Sequence, residues 1–407
     1  MCKLIKIYIL GLILILLLPG RGNSQTVSSP YSIFGLGLVE GKSIGPGKGM
    51  GGTGIAFQSG RYLNLQNPAS YSGIDSLVSI FETGFFGKYT VFSGEKKNQS
   101  SLEANFKYIA MGFRITPWLT TSFGFTPYST IGYNIKTLSD VEGTSLKYNK
   151  RFTGEGGANQ VYLGGSVQLI KNLSAGVNLA YIFGTVTQIE SAVDYYYVLK
   201  DITYLSNIHL DYGLNYGFSI KNWRYGVGLI YGGSKKLTTD NVTTITTNLE
   251  TEELKSHHRK FSIPQNYGIG FSAEKNYFTV GVDYERSVWK DIEFENLYLK
   301  TRNSQRFSVG VEFPSLGINK GTGRMIMYRV GAQYQQSYLV IKKIPIDYYA
   351  ITIGAGLPLK GAISTINLSL EVGQNGTTKK DLFRENFITL HIDLSLRDIW
   401  FMKRRYL

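Results

Sequence analysis

The sequence is short of the residues that build most enzymes and most secreted disulfide scaffolds. It has one cysteine, four histidines and ten prolines in 407 residues. A single thiol excludes a disulfide framework, and so few histidines leave little material for metal or acid–base centres. Charged residues make up 18%, below the roughly 25% of an average soluble domain. Past residue 24 there is no apolar run of about 18 residues, which excludes a membrane helix there. What the chain has in quantity is glycine, at 47, and aromatic residues, at 29 Tyr, 22 Phe and 4 Trp. So many large apolar side chains argue against disorder.

Residues 1–24 are set apart. Lys3 and Lys6 form a basic start, Ile7 to Leu18 is an apolar run, and Gly22 and Ser24 are small residues at the −3 and −1 positions of a cut before Gln25. The run falls short of the ~20 residues of a spanning helix, so the segment is expected to be a cleaved secretory signal. Its removal takes away Cys2, and a thiol-free chain suits passage through a bacterial periplasm.

Beyond it, the apolar residues alternate. Ile109, Met111, Phe113 and Ile115 oppose Tyr108, Ala110, Gly112 and Arg114, and Ile388, Leu390, Ile392 and Leu394 oppose Thr389, His391, Asp393 and Ser395. A period of two fits a half-buried strand of a soluble sandwich or of a membrane barrel. The connections separate the two. Very short turns at Thr116–Trp118, Lys171–Asn172, Lys221–Asn222, Glu274–Asn276 and Pro358–Gly361, with a longer one near Ser315–Thr322, alternate with mostly longer polar segments at 94–100, 137–156, 199–204, 248–259, 291–305, 342–345 and 373–385; Ser315–Thr322 and Lys342–Pro345 fit the alternation least well. An up-and-down transmembrane barrel has short periplasmic turns and long outer loops, whereas a Greek-key sandwich has no reason to alternate them.

This spacing predicts an all-β fold: a 14-stranded antiparallel transmembrane β-barrel over residues 76–401, with an N-terminal hatch segment over 25–75 in its lumen and a basic periplasmic tail over 402–407. The strands are expected at 76–93, 102–115, 119–136, 157–169, 174–196, 205–220, 223–247, 260–273, 277–290, 306–313, 324–340, 346–357, 363–372 and 386–398. Several are longer than a bilayer crossing, so the barrel should project above the outer surface. Tyr195, Tyr196, Tyr197, Tyr204, Trp223, Tyr225, Tyr348, Tyr349, Trp118 and Trp400 lie near strand ends and are candidates for interfacial girdles. Trp400 and Phe401 would end the inner one.

The segment 25–75 is rich in glycine and has no sustained period. Gly47-Lys48-Gly49-Met50-Gly51-Gly52 fits G-x-G-x-x-G by letter, but no strand precedes it, so a dinucleotide loop is excluded. Gly41-Lys42-Ser43 lacks the first glycine of a phosphate loop, since position 36 is Leu36.

The signal segment, the run Gly49-Met50-Gly51-Gly52-Thr53-Gly54, the Asn67-Pro68-Ala69 triplet and the 14 strands together resemble the FadL/TodX family of outer membrane transporters of hydrophobic compounds. The resemblance covers essentially the whole mature chain and implies an N-terminal hatch, capture of an apolar ligand at the outer face, and lateral release beside a kinked third strand. On this view Gly49, Met50, Gly51, Gly52, Asn67, Pro68 and Ala69 belong to the hatch and ligand path, and Gly124, Pro127 and Gly132 to the lateral opening. Pro127 removes a ladder donor, which strands accept at edges and bulges. Two functions follow: passive uptake of a hydrophobic small molecule of fatty-acid or aromatic type, or service as an accessory or scaffold barrel in an outer membrane assembly or secretion machine. The polar outer segments favour the second; the hatch and Pro127 favour the first.

No catalytic residues, metal or cofactor are expected. His257 and His258 are adjacent in an outer loop, a poor arrangement for one ion. Asp283, Glu285 and Asp393 are expected as lumen carboxylates paired with Arg114, Arg224 or Arg329. Lys171, Lys221, Lys275 and Lys360 fall at inner turns, where they can meet anionic lipid headgroups. The expected partners are therefore outer membrane lipids, a hydrophobic small molecule, and other outer membrane or periplasmic proteins. Nucleic acid is excluded, because the basic residues are not interleaved with aromatics on one platform.

Overall fold

The computed structural model describes residues 29–94, 98–140, 147–192, 197–254, 261–289, 299–318, 324–359 and 364–400. The signal segment, the basic tail, Phe401, Tyr195, Tyr196, His257, His258 and Lys360 lie outside the described residues. Fourteen strands form the wall. They are β1 (Val78–Ser93), β2 (Asn98–Arg114), β3 (Leu119–Asp140), β4 (Lys147–Ile170), β5 (Leu173–Ala192), β6 (Tyr197–Ile220) and β7 (Trp223–Gly232). The remainder are β8 (Gln265–Lys275), β9 (Phe278–Val288), β10 (Ser304–Pro314), β11 (Met327–Ile341), β12 (Ile344–Pro358), β13 (Thr365–Gly376) and β14 (Arg384–Ile399).

Each strand pairs antiparallel with the next, and β14 returns to β1 in register from Val78↔Ile399 to Ser93↔Arg384. The sheet is thus closed, as the alternation along Ile388–Leu396 predicts. Along β14, Ile388, Leu390 and Ile392 are exposed on the outer face while Thr389, His391 and Asp393 are buried inside. The same inversion runs along β12, where Ile351 is 65% exposed and Thr352 is 1% exposed. An apolar exterior around a polar interior is stable only where lipid replaces water outside, and a closed barrel leaves few backbone groups unpaired there. The protein is an outer membrane β-barrel.

The strands on one side run further than the sequence pattern indicates. β3 continues to Asp140, β4 starts at Lys147 and β6 at Tyr197, so most of 137–156 and 199–204 is ladder, not loop. These stretches mix polar and apolar side chains without a continuous apolar stripe, which a wall that projects into water does not need to continue its hydrogen bonds. The seventh strand instead stops at Gly232, before Gly233 and Ser234, and Thr238–Thr246 resumes against β6 from Thr238↔Ser206 to Thr246↔Val198. Tyr204, Tyr349, Trp118 and Trp400 are exposed on the wall as girdle residues should be. Tyr348 points inward and donates to Glu371.

Residues 29–77 make their contacts with the inward faces of these strands. Near the long loops, Leu36 packs with Tyr128, Ile131, Ile182 and Leu205, and Tyr31 packs with Trp289, Tyr338 and Ile346. Toward the short turns, Leu63, Tyr71 and Ile74 pack with Ile80, Tyr108 and Tyr162. Each fully buried apolar side chain of this kind contributes roughly 1.5–3 kcal/mol.

Candidate functional site in the lumen and at the seam between β2 and β3

The N-terminal segment is stapled to the wall through its backbone. Gly54 N and Ile55 N both donate to Asp283 Oδ2, at 2.7 and 3.0 Å. Thr352 Oγ1 accepts from Gly51 N at 2.8 Å and donates to Gly49 O at 2.9 Å. Gly51 passes so close to β11 that a Cβ on Gly331 would fall on its amide nitrogen. Asn67 caps the 3-10 helix Pro68–Gly73 by accepting from Ala69 N at 3.0 Å, and its amide donates to Leu214 O of the wall, also at 3.0 Å. Ser166 and Ser174 both donate to Ala69 O at 3.0 Å. The structure therefore places Gly49, Met50, Gly51, Asn67, Pro68 and Ala69 in the joint between segment and wall, and Gly52 on the cavity beside it.

That cavity, of about 380 Å³, lies between the segment and the projecting part of the wall. Its lining sets charged side chains among apolar ones such as Ile44, Phe86, Tyr128, Ile230 and Leu339. Glu40 pairs with Lys107, and Lys42 meets Asp211 at 2.6 Å, which also faces His209 at 3.3 Å. Glu371 accepts from Tyr348 and from Gln333 at 2.7 Å, and faces His391 at 3.2 Å. Lys48 lines the same space without an ion pair among the described residues. Burial, and then the neighbouring Lys107 charge, push the Lys48 ammonium below the ordinary lysine range against the pull of Glu371 and Glu40. Burial works to raise the Glu40 carboxyl, but the ammonium of Lys107 outweighs it and holds Glu40 below the usual carboxylate range.

The expected partners of the lumen acids are corrected. Glu285 pairs with Arg306, Asp283 holds the backbone of the N-terminal segment, and Asp393 accepts from Tyr108 at 2.9 Å. Arg329 pairs with Glu312 at 2.7 Å, Arg224 with Glu274, and Arg114 donates to Ile74 O and Ser72 O at 2.8 and 2.6 Å. Sequence reasoning found the lumen acids but missed Glu40, Lys42, Lys48 and Lys107. Strict alternation from Tyr108, Ala110 and Gly112 puts Lys107 on the outer face with Ile109; it turns inward because the β1–β2 register shifts between Gly84↔Tyr108 and Phe85↔Phe106, which no period reveals.

The wall is incomplete on one side. β2 and β3 pair only from Ile109↔Phe125 to Arg114↔Thr120, although each strand runs on well past this stretch. Gly124 lies in this last paired stretch, opposite Ala110. Immediately beyond it the β3–β4 register shifts between Pro127 and Ser129. The edge that β3 turns away from β4 is taken by the N-terminal segment. Leu38 and Val39 pair with Thr130 and Ser129, Glu40 N donates to Tyr128 O at 2.9 Å, and Ser29 N donates to Gly132 O at 3.0 Å. Gly132 N in turn donates to Ser32 Oγ at 3.0 Å. Gly124, Pro127 and Gly132 thus all lie along the seam, and the cavity reaches it between Lys107 and Tyr108 of β2 and Thr126, Pro127 and Tyr128 of β3.

The closed barrel is a fold shared with solved hydrocarbon transporters and channels. The toluene transporter TbuX of Ralstonia pickettii superposes with a TM-score of 0.59 at 15% identity, over 88% of this chain and 99% of that one. The toluene transporter TodX of Pseudomonas putida gives a TM-score of 0.56 at 14% identity, over 89% and 100%. The monoaromatic hydrocarbon channel CymD gives 0.56 at 15%, over 88% and 98%. At these identities the likeness is one of fold. None of the curated proteins matches the sequence. The family model for BamG matches residues 1–407, and the chain belongs to the BamG family.

Proposed function

We propose that the protein is a passive conduit of the outer membrane for small molecules with a hydrophobic body and a polar group, which leave the lumen sideways through the seam. The observation that carries this is the short β2–β3 pairing, with a cavity that reaches the gap above it. Residues 29–77 act as the hatch, and the glycine-tight joint with the wall supports a hatch that stays seated. The transport of toluene and monoaromatic hydrocarbons named for TbuX, TodX and CymD supports an apolar cargo. The charged lining favours a cargo with a polar end over a bare hydrocarbon, since an apolar body gains nothing against Lys48, Glu40 and Glu371.

A second reading is favoured by that same lining and by the stapled hatch: an accessory or scaffold barrel in an outer membrane assembly or secretion machine. Purification of the full-length protein in mild detergent separates them. A stoichiometric apolar or amphiphilic ligand, identified by mass spectrometry of the organic extract, supports the conduit. A ligand-free barrel that retains stoichiometric protein partners refutes it and supports the scaffold.

A further inference from the structure

We propose that the outer tips of the β11–β12 and β13–β14 hairpins are a docking site for the phosphate groups of the glycolipid that forms the outer leaflet around the barrel. The β11–β12 turn is Lys342-Lys343, the β13–β14 connection carries Lys379, Lys380 and Asp381, and Arg384 opens β14. All six are exposed. Five cations therefore face one acid. The two tips brace each other: Lys342 Nζ donates to Lys380 O at 2.9 Å, and Lys380 Nζ donates to Lys342 O at 3.1 Å. Lys342 also lies 3.7 Å from Asp381. This leaves Lys343, Lys379 and Arg384 without an ion pair among the described residues, on a support that holds the two tips together. Lys342, Lys343 and Lys380 have φ of 50°, 65° and 53°. Turn geometry at such positions calls for Gly or Asn, so it does not explain why lysine is there.

The basic arc is local. Across the rim, the hairpin tip beyond Thr246 carries exposed Glu250, Glu252 and Glu253. The other acids near the basic tips are engaged, Asp347 by Arg302 and Glu385 by Ser29. Directly below the tips, the outer faces of the same strands carry exposed Tyr334, Tyr349, Ile351 and Ile353. Eight residues of tilted strand separate Tyr334 from Lys342, about 20 Å of height, which places the cations above the acyl chains in the sugar–phosphate layer. A cationic arc standing on a lipid-facing wall meets the leaflet's own phosphates at high local concentration, which favours glycolipid over an acidic protein.

The test titrates purified lipopolysaccharide, in chelator to remove bridging divalent ions, into detergent-solubilised full-length protein whose fold is checked by heat-modifiable gel mobility. Lys343→Gln with Lys379→Gln and Arg384→Gln leaves the bracing lysines in place. It should weaken binding by about 100-fold at low salt and by less as salt rises. Chemically dephosphorylated lipopolysaccharide should show the same loss with the unmodified protein. Glu250→Gln with Glu252→Gln and Glu253→Gln should not weaken binding. Inorganic phosphate should compete only at far higher concentration than the glycolipid. Equal binding by the triple cation variant, equal binding of the dephosphorylated glycolipid, or equally tight binding of polyglutamate would each overturn the assignment.

Discussion

Asp283→Ala tests whether the N-terminal segment is held by the wall through specific backbone bonds or merely by its bulk. In the native protein one carboxylate oxygen of β9 accepts from Gly54 N and Ile55 N, in a position 3% exposed to solvent. Truncation leaves two buried amides without an acceptor, at about 1–3 kcal/mol each. Partial repair by water brings the net to about 3 kcal/mol, or a rise of somewhat over 100-fold in the local opening constant. The β9 ladders to β8 and β10 use main-chain groups only, so the barrel itself should keep its heat-modifiable mobility. Hydrogen exchange followed by mass spectrometry should therefore accelerate in peptides covering 47–60 and stay unchanged in peptides of β4 to β6. Asp283→Asn keeps one acceptor oxygen and should give a smaller increase. Unchanged exchange over 47–60, or an equal increase throughout the wall, would refute the stapling argument.

Gly331→Val places a side chain on the Gly51 amide, so the hatch must shift; single-channel conductance in planar bilayers should rise above that of the unmodified protein. The Glu40–Lys107 pair gives the strand Leu38–Val39 a pH dependence. Because the folded Glu40 pKa lies below its ordinary 4.5, the contribution is full above pH 4.5 and is lost as pH falls through the depressed value. Exchange over 36–42 should accelerate only in that acid range, and Lys107→Met should move the acceleration to higher pH. Deleting 402–407 should leave a heat-modifiable barrel, whereas deleting 386–407 strips β1 and β13 of their shared partner and should abolish it.

The wall was legible because lipid on one side and a polar lumen on the other impose a strict period of two, as along Ile388–Leu396. Where both faces meet water the period disappears, which is why the upper parts of β3, β4 and β6 read as loops. The segment 25–75 stood apart in the sequence by its glycine density and lack of period, but its contacts with the wall did not show there. A carboxylate such as Asp283 carries the same one-letter signal whether it faces an arginine or two backbone amides. Pro127 marked an irregularity of the ladder, because a missing donor has few tolerable places there, and the β3–β4 register does shift beside it. The charged cavity was harder to see, because Glu40, Lys42 and Lys48 come from an irregular segment whose side-chain directions no period reveals.

The seam joins the N-terminal segment to the wall. In lipid each unsatisfied backbone group costs several kcal/mol, so a strand edge cannot simply be left open. On β3 the missing partner is supplied from inside, by Ser29, Leu38, Val39 and Glu40 bonding to Gly132, Thr130, Ser129 and Tyr128. These residues are therefore part of the wall as much as part of the N-terminal segment. Moving them away uncovers the β3 edge at the same moment that it widens the gap toward β2. On the proposed route through the seam, that energetic cost would keep the gap narrow until something else takes over those hydrogen bonds: water admitted with a polar cargo, the cargo's own polar group, or an added strand. The charged cavity behind the seam, with Lys107 at its edge, supplies the polar surroundings in which such an exchange is least costly.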